Sequence, residues 1–348
     1  MDDKEEDTSD DVQSISEIEL IKRITKSFKN KNNSTKVDIG DDAAILCFDK
    51  TNIAISQDIL VEGVHFDLSY VPLKHLGYKS VVVNISDVIS MNVKPSQVLV
   101  SIAVSNRFKI NALEELYEGI KLACSFYGVD LIGGDTTSTN KGLMISVTCI
   151  GNTESNKFTL RKGFKEEDLL VVSGDLGSAY MGLQVLEREK KVFEVNPKSQ
   201  PDLSNYSYCI ERQLKPEARL DIINHLKELN INPTSMIDIS DGLSSEINHL
   251  SDNSGLSFHI YEDKIPISEE TKRVCDEFKI SPTIAALNGG EDYELLFTVS
   301  LEDHEKIKNI PDLSIIGHIC SAKNGFNLIT KGDQSIPIEA QGWEHFKN

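Results

Sequence analysis

The chain contains no run approaching the ~18 apolar residues that a membrane helix requires, so no membrane role is expected. Clustered Lys and Arg are also missing. The net charge is −19, and binding to nucleic acid needs the opposite sign gathered in patches. There is no Cys-x-x-Cys pair, and most of the six cysteines lie in apolar runs, where they are expected as small buried hydrophobes in a reducing cytoplasm. The acidic start carries seven acids against Lys4 over residues 1–11 and lacks the basic, then apolar, order of a signal peptide. Residues 1–13 are expected to be a disordered tail. Phosphate-binding loops are equally scarce: no Gly-x-x-x-x-Gly-Lys-Ser/Thr, no Gly-x-Gly-x-x-Gly and no protein-kinase catalytic loop occurs. No serine or cysteine triad stands out.

What is present is aspartate in unusual places. Asp41 and Asp42 follow Gly40 and precede Ala43-Ala-Ile-Leu46; Asp58 ends Asn52-Ile-Ala-Ile-Ser-Gln. Asp87 interrupts an apolar helical stretch, Asp135 lies in Gly133-Gly-Asp-Thr-Thr137, and Asp238 and Asp241 lie in Asp238-Ile-Ser-Asp-Gly242. Each sits where its neighbours indicate burial or a strand end. An isolated Gly-Asp-Asp is ordinarily a solvated turn, and seven aspartates on unrelated loops would need no further account. Gathered in one place, they cannot all ionise without cations. Their hard oxygens suit Mg²⁺, Mn²⁺ or Ca²⁺ rather than zinc. The spacing of Asp238-Ile-Ser-Asp-Gly242 excludes an EF-hand.

At 348 residues the chain suits two domains. An amphipathic helix is expected over 14–29, with Ser16 and Glu19 as a capping box. Strands follow at 43–48 and 52–57, then a loop through Glu62-Gly-Val-His-Phe66. A helix opened by Pro72 runs to about 91, with apolar residues nearly all round and Asn84 and Asp87 on one face. A strand over 98–105, a helix capped by Asn111 with Glu114, and strands at 130–135 and 143–150 complete an N-terminal domain over 14–152. The remainder, 153–348, restarts with a strand at 168–173 and a helix from Ser178. It continues with a connection over 191–208, a helix over 216–229 and a further mixture of strands and helices. Without strict strand–helix alternation, the expected class is α+β (mixed α/β) rather than doubly wound.

Taken in order, Gly40-Asp-Asp-Ala-Ala44, Asp58-Ile-Leu-Val-Glu-Gly-Val-His-Phe66, Asn84-Ile-Ser-Asp87, Gly133-Gly-Asp-Thr-Thr137, Asp238-Ile-Ser-Asp-Gly-Leu243 and Gly289-Gly-Glu-Asp-Tyr-Glu-Leu295 resemble the thiamine-monophosphate kinases. These belong to the superfamily of aminoimidazole ribonucleotide synthetase and selenophosphate synthetase. The resemblance runs from about residue 16 to Gly342-Trp-Glu-His-Phe346. It implies a cytoplasmic homodimer whose N-terminal sheets pair into a barrel, followed by a C-terminal α/β domain. The implied reaction is ATP-dependent phosphorylation of thiamine monophosphate to thiamine diphosphate, assisted by several Mg²⁺ ions, with K⁺ a candidate accessory ion. Carried over by motif, the metal ligands would be Asp41, Ser56, Gln57, Asp58, Asp87, Asp135, Asp238 and Asp241. Of these, Asp58, Asp87 and Asp135 would hold the catalytic metals. Nucleotide contacts would fall to Tyr117, Gly134, Asp135, Arg161 and Ser240, and the thiamine phosphate to His65, Glu291 and Trp343. Two departures stand out. Gln57 replaces a usual threonine, and Met91-Asn92 replaces a more usual Met-Gly. Selenophosphate synthesis is disfavoured by the lack of a reactive cysteine in a glycine-rich N-terminal loop. Aminoimidazole ribonucleotide synthesis and a cation- or nucleotide-binding regulator are the remaining alternatives.

Overall fold

The computed structural model describes residues 22, 25, 34–37, 39–154, 157–198, 200–251, 254–322 and 325–338. The expected tail, Trp343 and all of the 14–29 helix except Lys22 and Thr25, which are helical, lie outside these residues.

The first sheet has six strands: β1 (Thr35–Val37), β2 (Ala44–Phe48), β3 (Thr51–Val61), β4 (Lys94–Val104), β5 (Asp130–Ser138) and β6 (Leu143–Glu154), in the order β1-β2-β3-β6-β4-β5. All pairs are antiparallel except β4–β5, which α2 (Ile110–Tyr127) joins as a crossover. β3 runs beyond the expected 52–57, so Asp58 lies inside a strand rather than at its end. α1 (Leu73–Ser90) packs on β3, β4 and β6, with α2 against it. The two helices touch through glycine: a Cβ added at Gly77 would sit 1.9 Å from the Leu116 carbonyl oxygen, and one at Gly119 1.9 Å from that of Lys74. α1 is thereby buried on almost every side, as its all-round apolar pattern requires. Asn92 follows it at φ 57, a left-handed turn that asparagine tolerates best after glycine, so the exchange at Met91-Asn92 keeps the helix end. The expected Asn111 cap is not made; the N-cap is Lys109, two residues earlier, with no side-chain cap.

The second sheet has seven strands: β7 (Leu169–Ser173), β8 (Ser235–Asp238), β9 (Leu256–Tyr261), β10 (Leu295–Val299), β11 (Leu313–Ser321), β12 (Asn327–Ile329) and β13 (Ser335–Pro337), in the order β13-β12-β9-β11-β7-β10-β8. Only β12–β9 is parallel among its pairs. β7, β8 and β10 are buried along their whole length, and β7 and β10 read as near-continuous apolar runs. Around them lie α3 (Ser178–Val195), α4 (Ser207–Leu214), α5 (Leu220–Glu228), α6 (Leu243–Ser251), α7 (Glu269–Phe278), α8 (Pro282–Asn288) and α9 (His304–Ile307). The expected helix over 216–229 forms only from Leu220, and the segment read as a connection over 191–208 contains the end of α3 and the start of α4. The two-domain mixed α/β class stands. All six cysteines are free thiols, five of them buried, and no described helix is long and apolar enough to cross a membrane.

Candidate active site

α1 organises the site, because several polar residues along its buried length hold other segments. Asn84 accepts from the Asp58 main-chain N–H at 2.9 Å and donates to the Ser80 carbonyl at 3.1 Å. Ser86 donates to Asp238, at the end of β8. Asp87 accepts from Ser56 of β3. Two strands from different sheets are thereby fastened to one helix through the residues of the site.

The carboxylates of Asp42, Asp87 and Asp238 converge, with one oxygen of each lying within 4.8 Å of the others. Asp58 adds a further like charge acting on Asp87. Burial, reinforced by Asp58, Asp238 and Asp42, pushes Asp87 well above the usual carboxylate range, against the Ser56 hydrogen bond. Asp238 is pushed up to about 7 by burial and Asp42, against Ser86 and Arg161. Arg161 supplies the cation, forking onto Asp42 with Nε at 3.0 Å and Nη2 at 2.6 Å. Of the Gly-Asp-Asp pair, then, Asp42 enters the cluster, although the motif resemblance named Asp41. Asp41 turns aside: its Oδ1 accepts from the Asp42 and Arg161 main-chain N–H groups at 3.1 and 3.4 Å. Burial and Asp42 push it up to about 6.

Asp241 and Ser240 follow β8. Glu246 of α6, buried and absent from the motif reading, accepts from the Asp241 main-chain N–H at 3.0 Å and shapes that turn. Burial and Asp241 push its carboxyl well up. In sequence it looks like any helical glutamate. His65 Nδ1 accepts from the Val61 main-chain N–H at 3.0 Å, which leaves the proton of the neutral ring on Nε2. Beside this loop opens a cavity of about 640 Å³ whose lining includes Glu62, Asp67, Leu73, Arg107 and Phe108. Glu291, at φ 67, pairs with Lys79 at 2.8 Å. Tyr117 packs half-buried on the first core from α2.

Three expected residues lie elsewhere on the first sheet. In the ladder, Asp58 shares a row with Val147, Val100 and Gly134, whereas Asp135 shares the next row with Ser101, Ser146 and Ile59. Neighbouring rows point to opposite faces. Within one chain Asp135 is therefore exposed on the open face of the sheet, away from α1 and the Asp42–Asp87–Asp238 cluster. Gln57 also faces that side, donating from Nε2 to Ser146 Oγ at 3.0 Å. Gly134 lets β5 approach β4 closely; a Cβ there would sit 1.7 Å from the Val100 carbonyl oxygen.

Family models for the AIR synthase related proteins match residues 40–153 with the N-terminal domain and 165–326 with the C-terminal domain. The thiamine-monophosphate kinase of Aquifex aeolicus is 34% identical over 95% of this chain and 98% of its own. That of Bacillus subtilis is 35% identical over 96% of this chain and all of its own. The chain belongs to the thiamine-monophosphate kinase family. It is thus a kinase by kinship, and the fold agrees: a solved structure described as AaThiL complexed with AMPPCP and TMP superposes with a TM-score of 0.82 at 33% identity, covering 96% of this chain and 98% of that one. Several motifs of the resemblance meet along α1.

Proposed function

We propose that this chain transfers the γ-phosphoryl group of ATP to the phosphate of thiamine monophosphate, yielding thiamine diphosphate and ADP. The observation that carries the reading is the convergence of Asp42, Asp87 and Asp238 from three distant segments, with Asp58 beside them and Arg161 as their cation. The donor set consists of carboxylate oxygens, and burial with mutual repulsion leaves it short of positive charge, so it fits Mg²⁺. Mg²⁺ bound there would offset the charge of two phosphorylated ligands and polarise the group in transfer.

The chain's own residues do the rest. Ser56 and Ser86 orient Asp87 and Asp238 by donating to them, and Asn84 fixes the Asp58 backbone. His65 presents Nε2–H and Glu291 an anchored carboxylate to the acceptor. Because the acceptor phosphate is already ionised near neutral pH, no general base is needed, and alignment with charge neutralisation suffices. Transfer is direct, with no phosphoenzyme. The working form is a cytoplasmic homodimer joined through the first sheet, which would cover the exposed Leu131 and Ile132 of β5 and enclose the face carrying Asp135. Tyr117, Gly134, Arg161 and Ser240 serve the nucleotide.

Purified protein given ATP, Mg²⁺ and thiamine monophosphate should form thiamine diphosphate and ADP in equal amounts. Binding of both substrates without product would leave only the regulator reading. Rapid-quench trapping of labelled phosphate on the protein, in a kinetically competent step, would remove direct transfer.

A further inference from the structure

Lys79 lies in the apolar stretch Leu76-Gly-Tyr-Lys-Ser-Val-Val-Val83 of α1. A lysine is almost never fully buried without a partner. This side chain is 7% exposed, and its ammonium reaches two groups of the second domain: Glu291 Oε1 at 2.8 Å and the Gln213 carbonyl at 2.9 Å. Gln213 donates its own Nε2 to the other Glu291 oxygen at 2.5 Å. Both carboxylate oxygens of Glu291 are thus held, one from each domain.

The backbone under Glu291 is held as firmly. Glu291 and Tyr293 both occupy the left-handed region, at φ 67 and 53. The acids that alternate with them are fixed. Asp292 accepts from the Gly177 and Ala179 main-chain N–H groups at the start of α3, at 2.7 and 3.2 Å. Glu294 accepts from Arg212 and Arg219 at 2.8 and 2.6 Å. Such strain persists only where the surroundings over-determine it. At its head Glu291 remains 30% exposed, so it keeps lone pairs for a ligand's N–H donors. Paired with Lys79, it also loses most of the repulsion that a bare carboxylate would exert on a phosphate nearby.

We infer that Lys79 is a positioning residue for the acceptor substrate: from the helix that carries Asp87 it fixes and neutralises Glu291, so that one rigid element sets the acceptor pocket in register with the metal site. The inference rests on the proposed function, in which Glu291 meets thiamine monophosphate. Gln213 completes the hold.

The test is steady-state kinetics, each substrate varied in turn, on wild type, Lys79→Met, Lys79→Arg, Glu291→Gln and the Lys79→Met/Glu291→Gln double variant. Lys79→Met should raise KM for thiamine monophosphate about tenfold or more while KM for ATP moves less than about twofold, and Lys79→Arg should recover part of the loss. In the Glu291→Gln background, Lys79→Met should add less than about twofold, because nothing remains to be oriented. If Lys79→Met leaves Glu291 unpaired and fails to fold, the double variant, which removes both charges, is compared with Glu291→Gln alone. Equal rises in both KM values, or effects that multiply in the double variant, overturn the inference. Wild-type turnover accompanied by such results removes the inference alone; a wild type that fails to phosphorylate thiamine monophosphate removes the proposed function and this inference with it.

Discussion

Two groups of acids differ in their surroundings. Asp292 and Glu294 meet what the protein itself supplies: α3 amides for the first, and Arg212, Arg219 and Ser173 for the second. Asp42, Asp87 and Asp238 meet one another, two serine hydroxyls and a single arginine. Around Asp292 the neighbours mostly oppose burial, whereas around Asp87 they largely reinforce it. Asp292 shows how strong burial is, since its carboxyl is pushed up to about 7 even against Arg212 and the amides of Gly177 and Ala179. On the proposed reading, the contrast separates acids that hold a fold from acids that would take a cation. A buried charge paired within the protein is structural, whereas one left to like charges is maintained for something that binds.

The largest effect should come from the unbalanced group. Asp87→Asn should lower turnover by about three orders of magnitude, roughly 4 kcal/mol of transition-state stabilisation. The same change should raise the stability of metal-free protein by about 1 kcal/mol, because it removes a like charge. Glu294→Gln should do the reverse and lower stability by about 3 kcal/mol, since two guanidinium groups lose their shared partner. Denaturant melts of both variants without metal check the pair. A destabilised Asp87→Asn, or a neutral Glu294→Gln, would break the distinction.

Next in size is the response to pH. Asp41 at about 6 and Asp238 and Asp292 at about 7 all titrate in the fold above the ordinary value of 3.8. Between these limits the folded protein binds more protons than the unfolded chain. The stability they contribute is complete below about pH 4 and is lost as pH rises through 6 to 7. Mg²⁺ held by the cluster would keep it ionised and should remove the part that comes from Asp238. The Asp292 part should survive Mg²⁺ and disappear in Asp292→Asn. Thermal melts from pH 4 to 8, with and without Mg²⁺, resolve the two. A slope indifferent to Mg²⁺ would mean that the Asp42–Asp87–Asp238 cluster takes no cation.

How much of this could be read from the residues follows from what each side chain's neighbours are in sequence. α1 was legible: its apolar residues run all round, and Asn84 and Asp87 stand out as polar residues that burial must compensate. The two sheets were legible from their apolar runs, though β3 extends past Asp58 because the ladder with β6 continues to Val61. Between Asp41 and Asp42 the choice was not legible, because it depends on Arg161, some 120 residues away. Lys79 carried a signal that passed unused, since a lone lysine in a buried helix requires a partner. Glu246, Arg212 and Arg219 gave none; ordinary helical or loop charges look the same until the second sheet brings Glu294 and the Asp241 turn to them.

The smallest effect should be that of Gln57→Thr, which restores the residue more usual in the resembling family. Ser56 and Asp58 face α1, and the alternation of β3 sends the intervening side chain to the open side, where it bonds Ser146. Neither group of acids touches it, so one exposed hydrogen bond is all that changes, worth at most about 1 kcal/mol. Turnover and both KM values should move less than about twofold. A larger change would mean that the open face of the sheet takes part in the chemistry. Asp135 shares that face, and the comparison would then need a third group of acids, completed only when that face is covered.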